Sequence, residues 1–137
     1  MIYIGIDPGT HTGMAVWDSG EGRFLSLETL PIHRAMDLVR LWSGKVDLRV
    51  VFEDARQRKW YGRSEAEVRR KIRGAGSVKR DCAIWEDFLA DSGIPFLTVK
   101  PGRVATKVTP SWFKTLTGWE GRTSEHSRDA AMLVFGR

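Results

Sequence analysis

The chain has 137 residues, 42% of them hydrophobic and 28% charged. That length supports one domain, 1–137, with a buried core, and would leave two halves too small to stand alone. No run of about 18 apolar residues occurs, so no membrane-spanning helix is expected, and the net charge of +5 favours a polyanionic partner.

Ile2 to Asp7 alternates apolar residues and ends on an acid, which predicts a first strand. The pattern starts at once, without a secretory signal or an organelle leader, and the single cysteine, Cys82, excludes an intramolecular disulfide. Cytoplasm is therefore the expected compartment, with Cys82 a small buried apolar residue. Pro8-Gly9-Thr10 is turn chemistry. Gly13 to Asp18 and Arg23 to Glu28 predict two more strands, joined by a turn at Ser19-Gly20-Glu21-Gly22, so the first three strands form an antiparallel meander. Pro31 to Trp42 has helical apolar spacing, with Pro31 at the helix start. Leu48 to Phe52 predicts a buried fourth strand, parallel to the first and followed by Glu53-Asp54.

Ala55 to Arg63 is polar, basic and aromatic and predicts a loop. Ser64-x-x-Glu67 is a capping box that starts a helix. Gly74 and Gly76 should interrupt it before a second helical stretch to Asp91, with Val78, Cys82, Trp85 and Leu89 on one face. That face suits either the sheet or a dimer interface. Ile94 to Val99 predicts a fifth strand, Pro101 to Pro110 a loop, Ser111 to Leu116 one or two helical turns, and Thr117 to Thr123 another loop. Ser124 caps a last helix, Glu125 to Phe135. The order βββαβαβ followed by helices is a mixed sheet flanked by helices, in the α/β class.

Three acids stand where an acid is costly unless it works. Asp7 ends the first strand, Glu53 ends the fourth, and Asp129 precedes the apolar run Ala130 to Val134. Parallel first and fourth strands bring Asp7 and Glu53 out side by side, at the sheet end where ligands bind. Strand residues alternate faces, so only one of Glu53 and Asp54 can join Asp7. Glu53 is the first choice and Asp54 the second. Clustered carboxylates repel one another, and a hard divalent cation, Mg²⁺ or Mn²⁺, relieves the conflict. Two such ions can stabilise the attacking and leaving oxygens of a phosphoryl displacement. His126 lies three residues before Asp129 on the same helix face, where it either binds metal and positions water or merely helps the helix to start.

The motifs Ile4-Gly5-Ile6-Asp7-Pro8-Gly9 with Thr12-Gly13, Val51-Phe52-Glu53, and Ser124-Glu125-His126-Ser127-Arg128-Asp129-Ala130-Ala131 resemble, in that order, those of RuvC-type Holliday-junction resolvases. The resemblance implies a ribonuclease H-like fold with strand order 3-2-1-4-5. It also implies catalytic and metal-binding roles for Asp7, Glu53, His126 and Asp129, with Mg²⁺ or Mn²⁺ as cofactor, two ions per site. The implied activity is a homodimeric crossover junction endonuclease that nicks four-way DNA symmetrically in recombination and repair. The short chain looks like a phage or prophage version acting in a bacterial cell. Its family lysine corresponds to Lys107 or Lys114.

Basic residues cluster between Asp54 and Asp81, where ten cations stand against four acids, a net of +6. Arg56, Arg58, Lys59 and Arg63 are expected to neutralise phosphates beside the acids, with Trp60 or Tyr61 stacking on an unpaired base. Lys79, Lys107 and Lys114 complete the expected DNA-binding set. Arg69, Arg70, Lys71 and Arg73 form either part of that surface or a solvated helix face. Six tryptophans are many for this length, and some should be exposed for contact with a partner. The alternatives are a nuclease acting on forks or flaps, an RNA-processing nuclease or ribonuclease H of the same fold, and a non-catalytic junction-binding module. An actin-like ATPase needs a second half that 137 residues cannot supply, so no nucleotide cofactor is expected.

Overall fold

A computed structural model of the protein describes residues 1–57, 64–74 and 76–137. Five strands, β1 (Ile2–Asp7), β2 (His11–Asp18), β3 (Arg23–Pro31), β4 (Leu48–Glu53) and β5 (Phe96–Val99), form one sheet in the order β3-β2-β1-β4-β5. The β1–β2 and β2–β3 pairs are antiparallel, whereas β1–β4 and β4–β5 are parallel. Among the described residues, five α-helices accompany the sheet: α1 (Ile32–Ser43), α2 (Glu65–Gly74), α3 (Gly76–Asp91), α4 (Pro110–Thr117) and α5 (Glu125–Val134). This is the ribonuclease H-like architecture expected from the sequence, and no helix among the described residues is long and apolar enough to cross a membrane.

The alternation of β1 and β4 assigns each side chain to a face. Ile2, Ile4, Ile6, Leu48, Val50 and Phe52 pack in one core with Ala35 and Val39 of α1 and with Cys82, Trp85 and Leu89 of α3. Val51 belongs to the opposite core, with Ala15, Trp17, Phe24, Phe113 of α4 and the apolar residues of α5. The face Val78, Cys82, Trp85, Leu89 is therefore the one that packs on the sheet. Cys82, Trp85 and Leu89 are fully buried within the chain, so this face offers no dimer interface.

The boundaries differ from the sequence reading where pairing or capping overrides local pattern. Pro31 does not open α1; it pairs with His11 at the end of β3, in extended conformation, and serves as the N-cap. Strand β5 starts at Phe96 rather than Ile94, because the Ile94 amide bonds back to the Leu89 carbonyl and closes the end of α3. Ala55 to Gln57 forms one 3-10 turn. Pro110 to Thr117 is a complete helix, N-capped by the Thr109 hydroxyl and stopped by Gly118 in left-handed conformation.

Two glycines let α5 lie against the sheet. A Cβ on Gly5 would stand 2.0 Å from the Ala130 carbonyl oxygen, and one on Gly13 would stand 2.0 Å from the His126 carbonyl oxygen. Gly13 is also the register partner of Asp7, so this close approach brings His126 beside Asp7. Gly13→Ala should lower stability by about 1–3 kcal/mol in urea unfolding and perturb the His126 ring signals in NMR spectra. Wild-type stability with unmoved His126 signals would contradict the close approach.

Candidate active site

Ile6 pairs with Phe52 in the parallel β1–β4 ladder, so the next residues, Asp7 and Glu53, leave the sheet at the same end. Both continue the face that carries Gly5 and Val51, against which α5 packs. Helix α5 supplies His126 and Asp129 from its first turns, started by Ser124 and Ser127 in a reciprocal capping box. The Ser124 hydroxyl also bonds to that of Thr29, tying the helix start to β3. The sheet and α5 thus bring Asp7, Glu53, His126 and Asp129 to one place.

Asp54 follows the other face. Its carboxylate accepts bonds from the Arg56 backbone amide at 3.0 Å, from Arg56 Nε at 2.8 Å and from Nη2 at 2.9 Å. These bonds from Arg56 hold the Asp54 carboxyl below the usual range. Arg56 also bridges to Glu86 of α3. Strand alternation thus separates Glu53 from Asp54, and the charge of Arg56 is committed within the chain.

The Asp7 carboxyl is raised from 3.8 to about 6. Burial is the largest cause; the charges of Asp129 and Glu53 add to it, and the contact with His126 opposes it. His126 Nδ1 lies 2.8 Å from Asp7 Oδ2 and donates to it when Asp7 is ionised. The Asp129 carboxyl is raised too, chiefly by burial. Its Oδ1 accepts a 2.8 Å bond from the Lys107 backbone amide. Lys107 adopts φ 54, a conformation that costs a lysine about 1 kcal/mol or more. Lys107 thus reaches the site through its main chain.

Arg128 holds that loop in place, a role that the sequence reading missed. It is 8% exposed. Its Nε donates to the Val108 carbonyl at 2.8 Å, and Nη1 donates to the carbonyl and hydroxyl of Thr123 at 3.1 and 2.9 Å. One guanidinium therefore fastens both ends of the segment containing α4. The available signal was a cation inside the otherwise small and apolar buried stripe of α5.

Of the other expected DNA contacts, Lys114 is exposed on α4 and Lys79 is half-buried in the first turn of α3. Arg58, Lys59, Trp60, Tyr61 and Arg63 lie outside the described residues. In α2, Arg69 pairs with Glu65 and Lys71 with Glu67, as on a solvated helix face.

Among the described residues, no group of three or more His, Cys, Asp or Glu side chains closes around a point that could hold a metal ion. Asp7 Oδ2 faces His126, and Asp129 Oδ1 faces Lys107. The donor chemistry nevertheless fits a hard divalent cation. Carboxylates that raise the pKa of a buried neighbour are stabilised by such an ion.

The ribonuclease H-like fold of this sheet has a match among solved structures. The fold is similar to that of the RuvC protein of T. thermophilus, solved in complex with a Holliday junction substrate. The two share 19% identity and a TM-score of 0.58, over 97% of this chain and 90% of that one. The chain therefore has the RuvC-like fold. No protein-family model matches the sequence, and no curated protein matches it.

Because the Asp7 pKa is raised from 3.8 to about 6, the folded chain keeps a proton that the unfolded chain loses between those values. This contribution to stability is fully present below about pH 4 and is lost as pH rises through about 6. Metal-free Asp7→Asn should exceed wild type by about 1–2 kcal/mol at pH 7, allowing for solvent screening, and the gain should vanish toward pH 4 in thermal melts. Equal stability at both pH values would contradict the strained carboxylate. Arg128→Met should cost about 2 kcal/mol and open residues 108–123 to limited proteolysis, since buried carbonyls lose their donors. Unchanged cleavage there would contradict the clamp.

Proposed function

We propose that the protein is a divalent-metal-dependent endonuclease that nicks branched DNA, with four-way junctions as its substrate, during recombination or repair. The observation that carries this reading is the convergence of Asp7, Glu53, His126 and Asp129 at one sheet end, on a fold similar to a protein solved with a Holliday junction.

Asp7, Glu53 and Asp129 are the residues that would hold Mg²⁺ or Mn²⁺. A bound divalent ion supplies charge neutralisation for an in-line phosphodiester hydrolysis and lowers the pKa of the attacking water. The Lys107 amide holds one oxygen of Asp129 and leaves the other for a ligand. His126 restrains Asp7 and can hold a proton at Nδ1 or Nε2 as charge develops. Asp7 and Asp129 are half-buried, so their interactions with phosphate or cation are screened less than in open water. Two opposed cuts require two sites related by a two-fold axis, so the working form is a homodimer. Its contact lies elsewhere than the buried face of α3.

Wild type with Mg²⁺ or Mn²⁺ should place paired symmetric nicks in a labelled four-way junction, beside controls of fork, linear duplex and RNA–DNA hybrid. Asp7→Asn or Asp129→Asn should cut at least about 100-fold more slowly. Cleavage of fork or hybrid alone would remove the junction assignment. Tight binding without cleavage under either metal would remove the enzyme assignment.

A further inference from the structure

Two cations of α2, Arg69 and Lys71, face carboxylates of their own helix. Residues 100–123 carry five, Lys100, Arg103, Lys107, Lys114 and Arg122, against the single acid Glu120, a net of +4. All five residues are exposed. Among the described residues none forms an ion pair, whereas Arg56, Arg69, Lys71 and Arg80 each have a carboxylate within reach. An unpaired surface cation gives up little when it meets a phosphate, and each such contact releases counterions.

The same segment exposes an aromatic. Trp112 is 49% exposed and Leu116, one helical turn later, 38%, while Phe113 between them anchors α4 at 1% exposure. Capping by Thr109 and clamping by Arg128 hold the helix in place, so Trp112 is presented without a large ordering cost. The Lys107 amide touches Asp129, and Trp112 is five residues further on, within about 19 Å of Lys107 along the chain.

We infer that residues 100–123 form a second DNA-contact arm, in which Trp112 stacks on a nucleobase near the cleavage site while Lys100, Arg103, Lys114 and Arg122 hold the flanking phosphates. This rests on the nuclease reading of the neighbouring acids. A second copy of the chain is the poorer occupant, because a two-fold contact would set this +4 segment against itself. A polyanion with flat apolar faces meets both the charge and the aromatic.

The test is fluorescence anisotropy of a labelled four-way junction with the full chain in chelator, so that no cleavage intervenes, across a salt series. Trp112→Ala should weaken binding roughly 5- to 150-fold, and Trp112→Phe should retain most of it. The pair Lys114→Gln with Arg122→Gln should lower the slope of log affinity against log salt by about 2, and Arg69→Gln with Lys71→Gln should change it less. Melting curves and sedimentation report folding and oligomeric state for each variant. Wild-type affinity and slope in the Trp112→Ala and Lys114/Arg122 variants, with wild type binding and cutting the junction, would overturn the arm and leave the nuclease intact. A Trp112→Ala defect that appears as dissociation of a dimer would also overturn it. No binding of any DNA by wild type would sink the nuclease reading, and the arm with it.

Discussion

The structure depends on how closely α5 can approach the sheet. Two carbonyl oxygens of that helix, from Ala130 and His126, occupy the space where β-carbons of Gly5 and Gly13 would stand. Any larger residue there would push α5 outward, and with it His126 and Asp129. The parallel β1–β4 pair supplies the other half, because its register delivers Asp7 and Glu53 at one edge. A few backbone contacts thus gather acids that would otherwise repel one another and stay apart.

That gathering has a cost in the protein without metal. Asp7 is pushed up to about 6, first by burial and then by its acidic neighbours. His126 and the Lys107 amide offset part of this strain at Asp7 and Asp129. Lys107 is itself held in a left-handed conformation, beside a Val108 carbonyl gripped by Arg128. The strain at Lys107 is steric, whereas that at Asp7 comes from burial and like charge, which a bound cation would relieve.

The sheet was legible because its signals are local and periodic. Alternation in β1 and β4 placed Glu53 with Asp7 and sent Asp54 to the opposite face, where Arg56 now holds it. The capping residues Ser64 and Ser124 marked helix starts that the structure keeps. What escaped were interactions fixed only by tertiary contact. Nothing local shows that a backbone amide at Lys107 meets Asp129, or that Arg128 bridges Val108 and Thr123. Charge counting fell short for a related reason. The segment from Asp54 to Asp81 has the larger net charge, but several of its cations are answered by nearby acids, and those of residues 100–123 are not.

Crystallography of the protein soaked in Mn²⁺, with anomalous scattering to locate the ion, tests the metal site directly. An anomalous peak in contact with Asp7 and Asp129 is expected, with Asp7 turned from His126 toward the ion. An empty site at saturating Mn²⁺, with the Asp7–His126 contact unchanged, would contradict a metal-dependent nuclease built on these carboxylates.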